Sequence, residues 1–188
     1  MSYWVFTDIF EEAGPRFTPF HGGFGLLNIQ GIPKSAFYAY QFMNKLGKIE
    51  LTNTDTRSWA TKTDNGIQLL LWNFTNTLPD SVNNQAYYIK DLPSKSNGKV
   101  KVSISHVPAG TYKLEIYKVG YRINDAYTSY LDMGKPKQLN KQQVEELKKH
   151  NDGSPVATEI IEVKANEPFS KELDIRENDV FLLNMIKH

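Results

Sequence analysis

From residue 48 onward, short runs that alternate apolar and polar side chains recur between turn signals, and few folds accept that pattern. A strand shows period 2, and close-set turns leave no room for crossover helices, so neighbouring strands must run antiparallel. IELTNTDTRSWATKTDNGIQLLLWNFTNT holds two such runs around Asp64-Asn65-Gly66, a strong hairpin signal. Further strands are expected at 86–89, 99–105, 111–119, 158–163, 169–175 and 180–185. Turn signals at Ser96-Asn97-Gly98, Pro108-Ala109-Gly110 and Arg176-Glu177-Asn178-Asp179 separate them. The expectation is a mainly β chain built on an antiparallel β-sandwich.

One helix interrupts the series. Asn140 can cap NKQQVEELKKH, with Val144 and Leu147 on one face and Lys148, Lys149 and His150 near the negative end of its dipole. It lies within an insertion of about 120–155.

The first residues follow a different rule. In SYWVFTD, Tyr3, Trp4, Val5 and Phe6 are apolar at both parities, the pattern of a strand covered on both faces. EEAGPRFTPFHGGFG then has no period and reads as a long loop. In GIPKSAFYAYQFMNKLGK, Ala36, Ala39, Tyr40, Met43 and Leu46 recur at helical spacing, and Gly47 reads as the C-terminal cap. Strand, loop and helix make half of a βαβ unit, which cannot bury both of its faces alone. The boundary between the two parts falls near Gly47, giving 1–47 and 48–188.

Composition narrows the functional classes. The 22 basic and 21 acidic residues leave a net charge of +1, which gives nucleic acid or an anionic membrane no reason to bind. With no cysteine, disulfides and thiol chemistry are excluded. No apolar stretch of about 20 residues exists to span a bilayer as a helix. No signal peptide is visible in the chain, and the compartment is left open. His21, His106, His150 and His188 are scattered without a ligand spacing, so no metal is expected, and nothing calls for a cofactor. Asn73-Phe74-Thr75 matches a glycosylation sequon, but inside an expected strand.

YWVFTDIFEE, PFHGGFGLLNIQGIPKSAFYAYQFMNKLG and YLDMGKPKQLNKQQVEELKKH together resemble glycoside hydrolase family 39. Its members include retaining β-xylosidases and α-L-iduronidase. The resemblance implies a TIM (β/α)8 barrel carrying a β-sandwich, with 3–8 as the last barrel strand and 35–46 as the last helix. It also implies a catalytic pair of glutamates, whose carboxyls in retaining enzymes stand about 5–5.5 Å apart. Both would lie upstream of Met1. An Asn-Glu pair occurs only at Asn166-Glu167, in a late sandwich loop, so no catalytic residue is expected here. The implied whole is a β-xylosidase acting on xylo-oligosaccharides or another glycoside, of which this chain is an inactive C-terminal piece. An iduronide-cleaving parent is the alternative, for which Arg16 is the one basic residue near the motif. Homo-oligomerisation stays open.

On that mapping Trp4, Glu11 and Glu12 contact the sugar. An indole offers a flat wall to a pyranose, and a carboxylate accepts hydrogen bonds from hydroxyls. The plain readings are a core aromatic for Trp4 and a solvated pair for the glutamates, since adjacent residues rarely converge on one bond. Asp8 is expected to fix the loop by hydrogen bonding, and His21 to hold it. Gly22, Gly23 and Gly25 fit no phosphate-loop spacing and are expected to supply backbone freedom. Trp59 and Trp72 are expected inside the sandwich. Were both on an exposed face, the sandwich would read as a carbohydrate-binding module.

Overall fold

The computed structural model describes residues 3–9, 14, 16–75 and 90–188. In chain order the elements are α1 (Ser35–Asn44), β1 (Ile49–Glu50), β2 (Ser58–Thr63), β3 (Gly66–Trp72), β4 (Ser96–Ile104) and β5 (Gly110–Val119). They continue with α2 (Ala126–Asp132), α3 (Lys141–His150), β6 (Ala157–Val163), β7 (Phe169–Arg176) and β8 (Val180–Lys187). Contacts divide the chain into two compact units, one formed by 1–40, 76–93 and 119–153, the other by 41–75, 94–118 and 154–188. Compactness thus groups the helical insertion with the first residues and does not follow a single cut at Gly47.

The second unit is the sandwich. A six-stranded sheet runs β1-β2-β3-β8-β5-β6, and β4 pairs with β7 in a second sheet. The β2–β3 hairpin turns at Asp64-Asn65 with Thr63 opposite Gly66, as the sequence predicts. Alternation then sorts the faces. Leu69 and Leu71 of β3, Leu114 and Ile116 of β5, and Phe181, Leu183 and Met185 of β8 point to one side. There they meet Val102 of β4 with Phe169, Leu173 and Ile175 of β7, forming the core between the sheets. The Ser96-Asn97-Gly98 signal is not a separating turn. It lies inside β4 as a register shift against β7, with Gly98 at φ 77°. The strand expected at 86–89 lies outside the described residues.

The opposite face of the large sheet carries a row of polar side chains. Thr61 receives the Gly47 N–H (2.9 Å), Gln68 donates to Asn184 (3.2 Å), and Asn184 donates to Glu115 (3.2 Å). Glu115 also takes the Tyr117 hydroxyl (2.9 Å) and pairs with Lys113 at 2.6 Å. Gly47 therefore does not act as a helix cap. A Cβ there would run into the Lys62 carbonyl of β2, so its bare backbone permits the close approach. Phe42, on the C-terminal half of α1, packs on the same face against Tyr117 (5.8 Å between centroids). The buried residues of α1 are Tyr38 and Phe42, one turn apart, rather than the expected row through Ala36, Ala39, Tyr40 and Met43.

The first unit holds the helical insertion. Asn140 caps α3 through a reciprocal capping box with Gln143, and Leu147 is buried as expected. α2 was not expected. Asp125 caps it, accepting from the Thr128 amide. Its Ala126 and Tyr130 join Leu147, Ile32 and Phe20 in a second core.

Candidate functional site

The segment 3–8 shows what strong strand patterning does without a sheet to join. It makes no regular strand. It holds one parallel bridge, Thr7 to Leu27, backed by amide bonds Leu26 to Val5, Leu27 to Phe6 and Asp8 to Leu27 (2.9–3.2 Å). Tyr3, Trp4, Phe6 and Ile9 are exposed among the described residues. The described residues of this unit provide a neighbour along one edge only. The Trp4–Val5 peptide bond is cis.

Asp8 does fix the loop, by means of a partner the sequence did not reveal. Its carboxylate is 1% exposed and accepts the Gly25 amide at 2.7 Å. Lys34 Nζ lies 2.8 and 3.0 Å from the two oxygens and donates to the Gly23 carbonyl at 2.8 Å. An ammonium has three protons, and here three acceptors surround it. Gly25 is required by approach rather than by backbone freedom, since a Cβ would strike the Asp8 amide and the Thr7 carbonyl carbon. Asn28 builds the next turn, accepting from the Gln30 and Ile32 amides and donating to the Pro19 carbonyl. Phe20 then anchors the loop between Tyr127 and Tyr130, at 5.9 and 5.1 Å. An Asn-x-x-Gly turn signal at Asn28–Gly31 was available in the sequence, but nothing local singles out Lys34.

Of the predicted site residues, Trp4 stands at the end of this pinned segment with its side chain 68% exposed. Glu11 and Glu12 lie outside the described residues. His21 Nδ1 bonds the Thr18 carbonyl at 3.0 Å, inside its own loop. Arg16 is exposed. Among the described residues, no three His, Asp or Glu side chains gather as metal ligands. Nor is any described helix long and apolar enough to cross a membrane. Asn73 is buried, its amide donating to the Arg176 carbonyl and accepting from Arg57, so the sequon is engaged in the fold.

The tryptophan expectation fails in part. Trp59 is 41% exposed and Trp72 is half-buried. Trp59 faces Leu70 across the hairpin, and Trp72 lies two residues beyond Leu70, so both occupy the face opposite the core.

The same architecture occurs in solved structures. A GH39 enzyme from Xanthomonas axonopodis pv. citri superposes with a TM-score of 0.92 at 37% identity, covering 100% of this chain and 37% of that one. A monomeric β-xylosidase from Caulobacter crescentus gives 0.91 at 34%, again over 100% of this chain and 37% of that one. The fold is thus a β-sandwich of the kind that glycoside hydrolases carry. A sequence profile of glycosyl hydrolases family 39 matches residues 1–166. The chain belongs to glycoside hydrolase family 39. It is 35% identical over 153 residues to a β-xylosidase of Caldicellulosiruptor saccharolyticus, covering 78% of this chain and 28% of the relative. To a β-xylosidase of Geobacillus stearothermophilus it is 33% identical over 147 residues, covering 78% and 26%. The chain therefore spans little more than a quarter of the length of these relatives.

Proposed function

We propose that this chain is the C-terminal portion of a retaining β-xylosidase, one that removes terminal xylose from xylo-oligosaccharides. In this reading residues 1–47 are the last strand, loop and helix of a TIM barrel, and 48–188 are the accessory sandwich. The observation that carries it is the superposition of this whole chain on about a third of the length of family enzymes, with 34–37% identity. Barrel active sites form at strand C-terminal ends and the loops beyond, where Trp4, Glu11 and Glu12 would meet the sugar. The catalytic glutamates belong to the rest of the barrel, and the sandwich braces that barrel. Packing of Phe42 and Lys45 of the proposed last barrel helix on Tyr117 of the sheet supports the bracing role.

Assaying the 188 residues alone on an aryl xyloside tests the division of labour. No turnover is expected; activity that survives purification and depends on Glu11 or Glu12 would overturn it. A parent acting on iduronides finds less support. The structure of a bacterial α-L-iduronidase orthologue is 12% identical with a TM-score of 0.61, a likeness of fold alone.

A second reading, a carbohydrate-binding sandwich, is favoured by one observation: Trp59 and Trp72 share the outer face, with Trp59 exposed. Retention on insoluble xylan, lost on Trp59→Ala, would support it. Passage of the wild-type chain without delay would leave bracing as the sandwich's role.

A further inference from the structure

We infer that Lys34 is a positioning residue for the sugar-facing indole of Trp4, an inference that rests on the glycosidase reading above. Lys34 has no proton to offer a ligand: both Asp8 oxygens and the Gly23 carbonyl surround its ammonium within 3.0 Å. Its effect is exerted through Asp8. That carboxylate is buried, and besides Lys34 its side chain receives the Gly25 amide. A buried carboxylate left with one amide donor is too poorly solvated to stay in place.

Asp8 is also where the first segment and the glycine loop are held in register. Its own amide bonds Leu27, next to the Thr7–Leu27 bridge. The Leu26 amide, on the same short stretch, bonds the Val5 carbonyl, one residue from Trp4. Lys34 extends the tie, since its backbone amide bonds the Leu26 carbonyl just before α1. One side chain therefore joins the start of the helix, the glycine loop and the segment that presents the indole. Removing the ammonium frees Asp8 to turn toward water, and the segment carrying Trp4 shifts against Leu26 and Leu27. A wall displaced from the sugar no longer contributes its share of binding, in the ground state and the transition state alike.

The test uses the whole enzyme that carries this chain, with Lys34→Met, Asp8→Asn and the double variant. For an aryl xyloside, KM is expected to rise roughly ten- to a hundredfold while kcat stays within about threefold, because the wall binds and the catalytic pair is untouched. The double variant is expected to be no worse than Lys34→Met, since the two residues act as one unit. In enzyme labelled with 5-fluorotryptophan, the ¹⁹F resonance lost in Trp4→Phe should move in Lys34→Met, while the Trp59 and Trp72 resonances stay. A folded Lys34→Met enzyme with unchanged KM and an unmoved Trp4 resonance overturns the role. Should Lys34→Met fail to fold, Asp8→Asn, which keeps an acceptor for Gly25, carries the same two readouts. A wild-type enzyme without xyloside turnover removes the glycosidase reading and this role with it. Unchanged KM in a working enzyme removes the role alone.

Discussion

Lys118 and Asp179 form a buried ion pair whose disruption should cost the sandwich as much as a core truncation. Lys118 Nζ lies 2.8 Å from Asp179 Oδ2, with the side chains 11% and 0% exposed. The same oxygen accepts the Arg176 amide at 2.8 Å, and the ammonium also sits 4.8 Å from the Phe181 ring centroid. Among the described residues the other oxygen of Asp179 has no hydrogen-bond partner. At 2.8 Å and an effective dielectric of about 20, the pair attracts by about 6 kcal/mol. Taking two ions out of water costs several kcal/mol each, so the net contribution of the intact pair is small. Breaking it is another matter. Lys118→Met leaves the Asp179 charge buried with a single amide donor, and such losses run to about 3–5 kcal/mol. With an m-value of about 2 kcal/mol/M, the urea midpoint should fall by roughly 2 M. Asp179→Asn keeps an acceptor for Arg176 and removes the charge, so adding it to Lys118→Met should recover part of the loss. Urea titrations of the two single variants and the double variant form the cycle. A Lys118→Met loss below about 1 kcal/mol, or costs that simply add, would refute the claim that a stranded buried charge sets the penalty.

Three other outcomes are expected. Lys113 above all, then the Tyr117 hydroxyl and Asn184, outweigh burial and hold the Glu115 carboxyl below the usual glutamate range. Its folded pKa is depressed, so its stabilisation is complete above the unfolded value of about 4.3 and lost as pH falls through the folded one. Glu115→Gln should flatten the acid limb of urea midpoints measured from pH 6 to 3; an unchanged limb would be contrary evidence. Burial first, with a nearby Asp152 or Glu115, pushes the phenols of Tyr38 and Tyr117 up to about 12. Both pKa values are raised, so stability holds below about pH 10 and falls as pH climbs through 12. Absorbance at 295 nm should show late-titrating phenols and lose one in Tyr117→Phe. Leu147, fully buried between the insertion helices and the loop's Phe20, should cost about 2–5 kcal/mol on truncation to Ala, read by thermal unfolding.

The sandwich was legible because its strands carry the rule that folds them. Leu69 and Leu71, or Phe181, Leu183 and Met185, alternate with residues that the other face accepts, and the Asp64-Asn65-Gly66 turn sets the register. The misreadings arose where tertiary approach decides. Ser96-Asn97-Gly98 has turn chemistry, yet pairing with β7 carries the strand through it as a bulge. Gly47 reads as a cap and serves instead to let β2 come close. Trp59 looks like core until the register puts it opposite Leu70, on the far face. Lys34 had no signal at all: an ion pair with a residue 26 positions earlier has no local pattern.

The first segment carries the argument furthest. Its double-sided apolar pattern predicts burial, while its side chains are exposed and its backbone is bonded along one edge. Pattern and exposure can both hold if the pattern was written for neighbours other than those described, since a strand's alternation answers to whatever sheet it enters. The polar features around it follow the same logic. The buried Asp8 carboxylate, the half-buried Lys34 and the Gly25 amide form a hydrogen-bonded cluster that holds the segment in place from one side. An interior ion pair seldom adds net stability, and its best-attested use is to specify one arrangement over others. A clamp of that kind at the foot of an exposed tryptophan supports a segment kept in position for a partner surface and a ligand. That is what the last strand of a glycosidase barrel would require. If the reading is right, Asp8→Asn should leave the sandwich's urea transition near its wild-type midpoint while amide exchange at Leu26 and Leu27 quickens; unchanged exchange at both amides would remove the clamp from the account.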